Sequence, residues 1–179
     1  KSEFIHYIRK NLPKNVNFNY IKKKKSSTIV KKRFLDHISY NKVLGVYTIN
    51  DDLLIRADEK KFIQLLKKQI ASHDLVIVSD YGHGLISSKS AKLISKNSKY
   101  LALNAQINAA NIGYHSMRNY KNINCVIINE GELRHEMRDK NNKVELLMKK
   151  FSLQQKIKNL VVTRGVNGAL LYDKNKNKF

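Results

Sequence analysis

Apolar and polar positions change period several times along these 179 residues. Phe4, Ile5, Tyr7, Ile8 and Leu12 share one face of a short helix that stops before Pro13, a residue that cannot continue it. Residues 28–35, with Ile29, Val30, Phe34 and Leu35, predict a strand. Residues 43–49, with Val43, Leu44, Val46, Tyr47 and Ile49, predict another, and Asn50-Asp51-Asp52 supplies a turn after it. The spacing then becomes helical: Phe62, Leu65, Leu66 and Ile70 follow Asp58 and Glu59, which suit the positive end of a helix dipole.

From Leu75 onward the pattern alternates. Leu75-Val76-Ile77-Val78 is a continuous apolar run, as expected of a parallel strand covered on both faces. Ser87 or Ser88 caps a helix containing Ala91, Leu93 and Ile94. A short strand follows at 100–103, then a helix or helical loop at 108–120 and a strand at 125–128. Helices are expected at 130–137 and 144–153. A strand at 160–162 is followed by residues 169–172, which fold back on it as a hairpin-like return. Strand–helix alternation of this kind predicts an α/β fold with a mostly parallel sheet. The two early strands fall outside the rhythm and suit a small appended sheet or lid. The reading is one domain over 1–179, with 26–50 associated with the lid and 51–179 forming the core. The chain starts with Lys and ends at Phe179, and it reads as a fragment open at both ends.

Composition narrows the class. The chain is 42% hydrophobic and 27% charged, which is globular rather than disordered. A single Cys excludes a disulfide framework and a Cys-rich zinc site. No apolar run reaches the ~18 residues of a membrane helix, and no signal-peptide core opens the chain, so a cytoplasmic protein is expected. Thirty-five Lys and Arg against fourteen Asp and Glu give a formal charge of +21. The lysines are spread along the chain, and the one dense run is Lys22-Lys23-Lys24-Lys25, with Lys31, Lys32 and Arg33 beyond it. Zinc-finger spacing and aromatic–basic RNA signatures are absent. A solvated lysine surface is therefore favoured over a nucleic-acid surface. Attraction of anionic small molecules is the remaining reading.

Three segments sit where an open α/β sheet places ligands, beyond the carboxyl ends of strands. Asp80-Tyr81-Gly82-His83-Gly84 reads either as a glycine-rich turn or as a site in which Asp80 orients a hydroxyl and His83 donates to a sugar or phosphate oxygen. Asn129-Glu130-Gly131-Glu132 contains Asn-x-x-Glu. It is either a capping box or a carboxylate poised to hold hydrated Mg²⁺. Thr163-Arg164-Gly165-Val166-Asn167-Gly168 is either a strand–turn–strand link or a backbone that passes close to a nucleotide. No P-loop, dinucleotide fingerprint or serine nucleophile elbow is present.

In this order the segments resemble the ribokinase-like (PfkB) carbohydrate kinases, most closely the heptose-phosphate kinase branch associated with ADP-heptose synthesis. The matching residues begin with Thr28, Lys31 and Arg33, then the strand 75–79 with Asp80-Tyr81-Gly82-His83-Gly84. Leu103-Asn104-Ala105-Gln106 follows with Asn108 and Asn111. Asn129-x-x-Glu132 and Val162-Thr163-Arg164-Gly165-x-x-Gly168 complete the series. The resemblance implies a three-layer α/β/α fold with a β lid, and ATP-dependent phosphorylation of a sugar or sugar phosphate. It assigns Asn129, Thr163, Gly165 and Gly168 to ATP and Glu132 to Mg²⁺ through water. Asp80, Gly82, His83, Gly84, Lys31 and Arg33 fall to the substrate.

A homodimer and a partnered nucleotidyltransferase are compatible with the resemblance. Two departures stand out: His83 occupies a position where these relatives often carry Lys, and the Gly-Ala-Gly-Asp segment that supplies the general base is expected beyond Phe179. The chain alone is expected to be inactive. The competing reading is a non-catalytic α/β module that binds nucleic acid or acidic partners through its lysines.

Overall fold

The computed structural model of the protein describes residues 3–24, 26–106 and 117–179. Helix α1 (Glu3–Asn11) is followed by an extended segment and then by strands β1 (Val30–Leu35) and β2 (Lys42–Thr48). These two pair antiparallel as a separate ribbon, with Lys31 opposite Tyr47 and Arg33 opposite Gly45. Asp36 builds the turn between them: its Oδ1 accepts from the Ser39 amide at 2.7 Å and the Ile38 amide at 3.2 Å.

The second sheet contains β3 (Leu75–Asp80), β4 (Tyr100–Ala105), β5 (Cys125–Asn129), β6 (Asn159–Thr163) and β7 (Ala169–Asp173), in that spatial order. Neighbours from β3 to β6 are parallel, and β7 returns antiparallel on β6, as the hairpin reading expected. Helices α2 (Arg56–Ala71), α3 (Ser88–Asn97), α4 (Glu130–Met137) and α5 (Val144–Gln155) complete the α/β arrangement. Ser87 caps α3 by accepting from the Ser90 amide at 3.2 Å, and its hydroxyl donates to Glu59 on α2 at 2.5 Å. The end of α1 at Asn11, before Pro13, also matches the sequence pattern. Asn108 and Asn111, and most of the helix or loop expected at 108–120, lie outside the described residues; Met117–Asn119 forms one 3₁₀ turn.

Burial alternates with the pleat. Val78, Leu101, Leu103, Val126, Ile128, Leu160, Val162 and Tyr172 face one core with Ile70 of α2, Ile94 of α3, Leu133 of α4, and Leu147 and Phe151 of α5. The opposite parity carries Leu75, Ile77, Tyr100, Ile127 and Leu171, all exposed. The apolar run of β3 is covered on one face rather than two among the described residues. The cause is topological: sequential strand order with right-handed crossovers delivers each helix to the same side of the sheet. The helical layer seen here is therefore one layer against the sheet. No helix among the described residues is long and apolar enough to cross a membrane.

Candidate ligand site at the carboxyl ends of the strands

Parallel register lines up the strand ends. Asp80 pairs with Ala105, and Asn129 with Thr163, so the three segments singled out in the sequence leave the same edge of one sheet. Strand β4 ties the edge together. The Gln106 amide donates to the Asp80 carbonyl at 2.8 Å, and Asn104 Nδ2 donates to the Ile127 carbonyl at 2.7 Å.

At the β3 end, Asp80 is buried and anchors its own loop. Oδ1 accepts from the Gly82 amide at 3.0 Å, and Oδ2 accepts from the Tyr120 hydroxyl at 2.7 Å. Burial, with the Asp80 charge beside it, raises the Tyr120 hydroxyl far above its ordinary value and keeps it a donor. Gly82 and Gly84 take φ of +68° and +77°. At Gly84 a side chain is also blocked sterically. A Cβ there would strike the backbone carbonyls of Asp51 and Asp52, the Asp51 oxygen at 2.6 Å. The glycine thus lets the 51–52 turn pack onto the β3–α3 loop.

That packing delivers Asp51 to His83. His83 Nδ1 lies 2.7 Å from Asp51 Oδ1, and His83 Nε2 lies 3.0 Å from Lys31 Nζ on β1. Lys31 Nζ also sits 5.7 Å over the Tyr81 ring, which stacks with His83. These residues border an open cavity of about 830 Å³. Its apolar wall comes from the N-terminal region, including Phe4, Ile8, Phe18 and Ile21. Its polar side includes Thr28, Lys31, Ser79, Asp80 and His83. Lys22 and Lys23 of the basic run reach the same cavity, and Lys23 Nζ donates to the Asn50 carbonyl at 2.8 Å. Arg33 does not reach it. It is exposed on β1, two residues past Lys31, opposite Gly45.

At the β5 and β6 ends, the capping-box reading of Asn129-x-x-Glu132 is realised. Asn129 Oδ1 accepts from the Glu132 amide at 2.8 Å, and Glu132 Oε2 accepts from the Asn129 amide at 2.8 Å. One carboxylate oxygen of Glu132 remains outside this box. Among the described residues no group of three or more His, Cys, Asp or Glu could hold a metal directly. The second oxygen of Glu132 is the carboxylate donor left at this helix start, and a single carboxylate can hold a cation only through the cation's own waters. Gly165 and Gly168 take φ of +58° and +73°, and a Cβ built on either meets nothing within 4 Å. That open backbone, beside exposed Thr163, fits the approach of a nucleotide.

The sequence did not point to Glu130 as a tether. Arg164 Nε donates to Glu130 Oε2 at 2.9 Å, and Arg134 donates to Glu130 Oε1 at 2.7 and 3.0 Å, so Glu130 joins the two segments. The Arg164 hydrogen bond, then that of Arg134, holds the Glu130 carboxyl below the usual carboxylate range. Asp51 and Tyr120 were likewise missed, because their partners lie 32 and 40 residues away.

No family model matches the chain, and no curated protein matches it. Among solved structures it is similar to ribokinase from Giardia lamblia, at 15% identity and a TM-score of 0.67 over 99% of this chain and 53% of that one. It is also similar to phosphofructokinase-2 from Escherichia coli in complex with substrates and products, at 18% identity and a TM-score of 0.54 over 73% of this chain and 43% of that one. The same enzyme with fructose-6-phosphate gives 18% identity and a TM-score of 0.53 over 73% and 44%. The fold is ribokinase-like. The chain spans about half the length of these ribokinase-like structures.

Two outcomes are expected. Gly84→Ala should destabilise the protein by at least ~1–2 kcal/mol from the left-handed backbone alone, with the carbonyl clash added, as read by chemical denaturation. Glu130 has a lowered folded pKa, so its stabilising contribution is full above the ordinary carboxylate pKa and disappears as pH falls through the lowered value. The melting-temperature gap between the native protein and Glu130→Gln should therefore be present at neutral pH and close in acid.

Proposed function

We propose that the protein is an ATP-dependent carbohydrate kinase that transfers the γ-phosphoryl group to a hydroxyl of a sugar phosphate. The observation that carries this is the convergence of Lys22, Lys23 and Lys31, with His83 and Asp80, on one open cavity at the sheet edge that also carries the open glycine backbone. Cations converging on a cavity attract an anionic substrate, and the solved phosphofructokinase-2 complex with fructose-6-phosphate is a fold neighbour that binds such a sugar. The order of the sequence segments favours a heptose phosphate as the sugar. The partnered form, a kinase joined to a nucleotidyltransferase, extends the same reading.

The β1–β2 ribbon acts as the lid over the cavity, with Lys31 reaching in from it. Thr163, Gly165 and Gly168 line the ATP phosphates and ribose with backbone and hydroxyl donors, and Asn129 stands beside them. Glu132 would hold a hydrated Mg²⁺ through its second oxygen, and the ion would supply charge neutralisation on the phosphates. Glu130 keeps the Asn129 and Thr163 segments in register. Phosphoryl transfer depends on positioning and charge stabilisation, so turnover is assigned to the protein together with the expected base-bearing Gly-Ala-Gly-Asp segment.

Glu132→Gln separates the two roles of this residue, because Gln serves the capping box and lacks the charge. The variant should keep its melting temperature and lose about tenfold in affinity for ATP in the presence of Mg²⁺, measured by calorimetry. Nucleotide binding that ignores this change and falls steeply with salt would favour the lysine-surface binding module instead.

A further inference from the structure

The partners of His83 favour one tautomer of its ring. Lys31 has donors only, so its approach to Nε2 at 3.0 Å is a hydrogen bond when Nε2 is unprotonated. The ring proton then sits on Nδ1, where it is donated to Asp51 Oδ1 at 2.7 Å. Three segments distant in sequence thus form one directed chain: Lys31 from β1, His83 from the β3–α3 loop, and Asp51 from the β2–α2 turn. Lys31 and His83 line the cavity, whereas Asp51 lies outside its lining; the His83 side chain is 9% exposed and that of Asp51 37%, so solvent reaches the chain through Asp51.

We propose that Asp51 is a positioning residue for an anionic sugar substrate: through His83 it fixes Lys31 as a donor facing the cavity. The proposal rests on the kinase reading above and names a residue that reading does not use. With the Asp51 carboxylate in place, the Nδ1–H tautomer is held and Lys31 gains an acceptor on one side and the Tyr81 face on another. Two ammonium protons remain for a substrate oxygen. Without Asp51 the ring is free to carry its proton on Nε2. An N–H would then face the Lys31 ammonium, donor against donor, and Lys31 would leave its place. Asp51 contacts no substrate in this account; it acts through the ring.

The test uses the complete protein with fructose 6-phosphate as probe. Asp51→Ala, Lys31→Ala and the double variant are compared by calorimetry, and ¹⁵N shifts of the His83 ring are read by NMR in the native protein and in Asp51→Ala. Asp51→Asn keeps an oxygen acceptor for Nδ1–H and serves as the conservative rescue. The expected result is a loss of about tenfold or more in probe affinity for both single variants, with no further loss in the double, consistent with the removal of one charge-assisted contact. Asp51→Asn should recover most of the affinity, and the ring should read Nδ1–H in the native protein and shift toward Nε2–H in Asp51→Ala. A native ring protonated on Nε2 would overturn the proposal. So would additive losses, or an Asp51→Ala effect equal to that of Asp51→Asn. If the native protein binds no fructose 6-phosphate while the ring shifts as expected, the Asp51–His83 coupling stands and the sugar-phosphate reading falls.

Discussion

The parallel pairing of β3, β4, β5 and β6 is the constraint on which the rest of the candidate site depends. It aligns Asp80 with Ala105 and Asn129 with Thr163, and so converts separate turns into one continuous edge. Sequential crossovers of one hand then bury a single helix–sheet interface around Leu101, Leu103, Val126, Ile128, Leu147 and Phe151. With that interface fixed, the loops beyond the strands are free to carry polar groups without a cost to the core. Short polar anchors hold these loops. Asp80 gathers Gly82 and Tyr120, Glu130 gathers Arg134 and Arg164, and Asn129 with Glu132 closes the start of α4.

Local signals were legible in the sequence. The apolar runs located the strands of the main sheet. Ser87 and the Asn129-x-x-Glu132 spacing located two helix starts, because a cap is a contact between residues three apart. The reversal of β7 onto β6 followed from a short link. What stayed hidden depends on chain closure. Tyr120 meets Asp80 across 40 residues, and Asp51 meets His83 across 32, with no periodicity to announce either. Gly84 could be read as a ligand-approach glycine, yet its role in the fold is to admit the 51–52 carbonyls. The β3 run reads as buried on both faces because apolar content alone does not tell which side the crossovers will cover. The N-terminal helix was legible as a helix. Its role as the apolar wall of a cavity was not, since its partners come from later in the chain.

The charge of the chain takes on a local meaning in the structure. Most lysines remain a solvated surface, but the dense run near residue 22 reaches the cavity through Lys22 and Lys23, where Lys31 joins them from the ribbon. A ribokinase-like fold alone does not define a reaction, because one fold hosts many. Two chemically different places lie along one edge: a cationic, part-apolar cavity bordered by Lys31 of the ribbon, and an open glycine backbone beside a capped, acidic helix start. The proposed kinase reading gives the anionic sugar to the first and the nucleotide phosphates to the second, and the parallel register holds both on the same edge.

Hydrogen–deuterium exchange of the protein with each ligand added separately tests this division most directly. The account predicts that fructose 6-phosphate slows exchange in residues 28–35 and 80–86, and that ATP with Mg²⁺ slows it in 129–132 and 163–168. Protection by ATP at the ribbon cavity, or protection by the sugar phosphate on the open sheet face instead of the cavity, would contradict it.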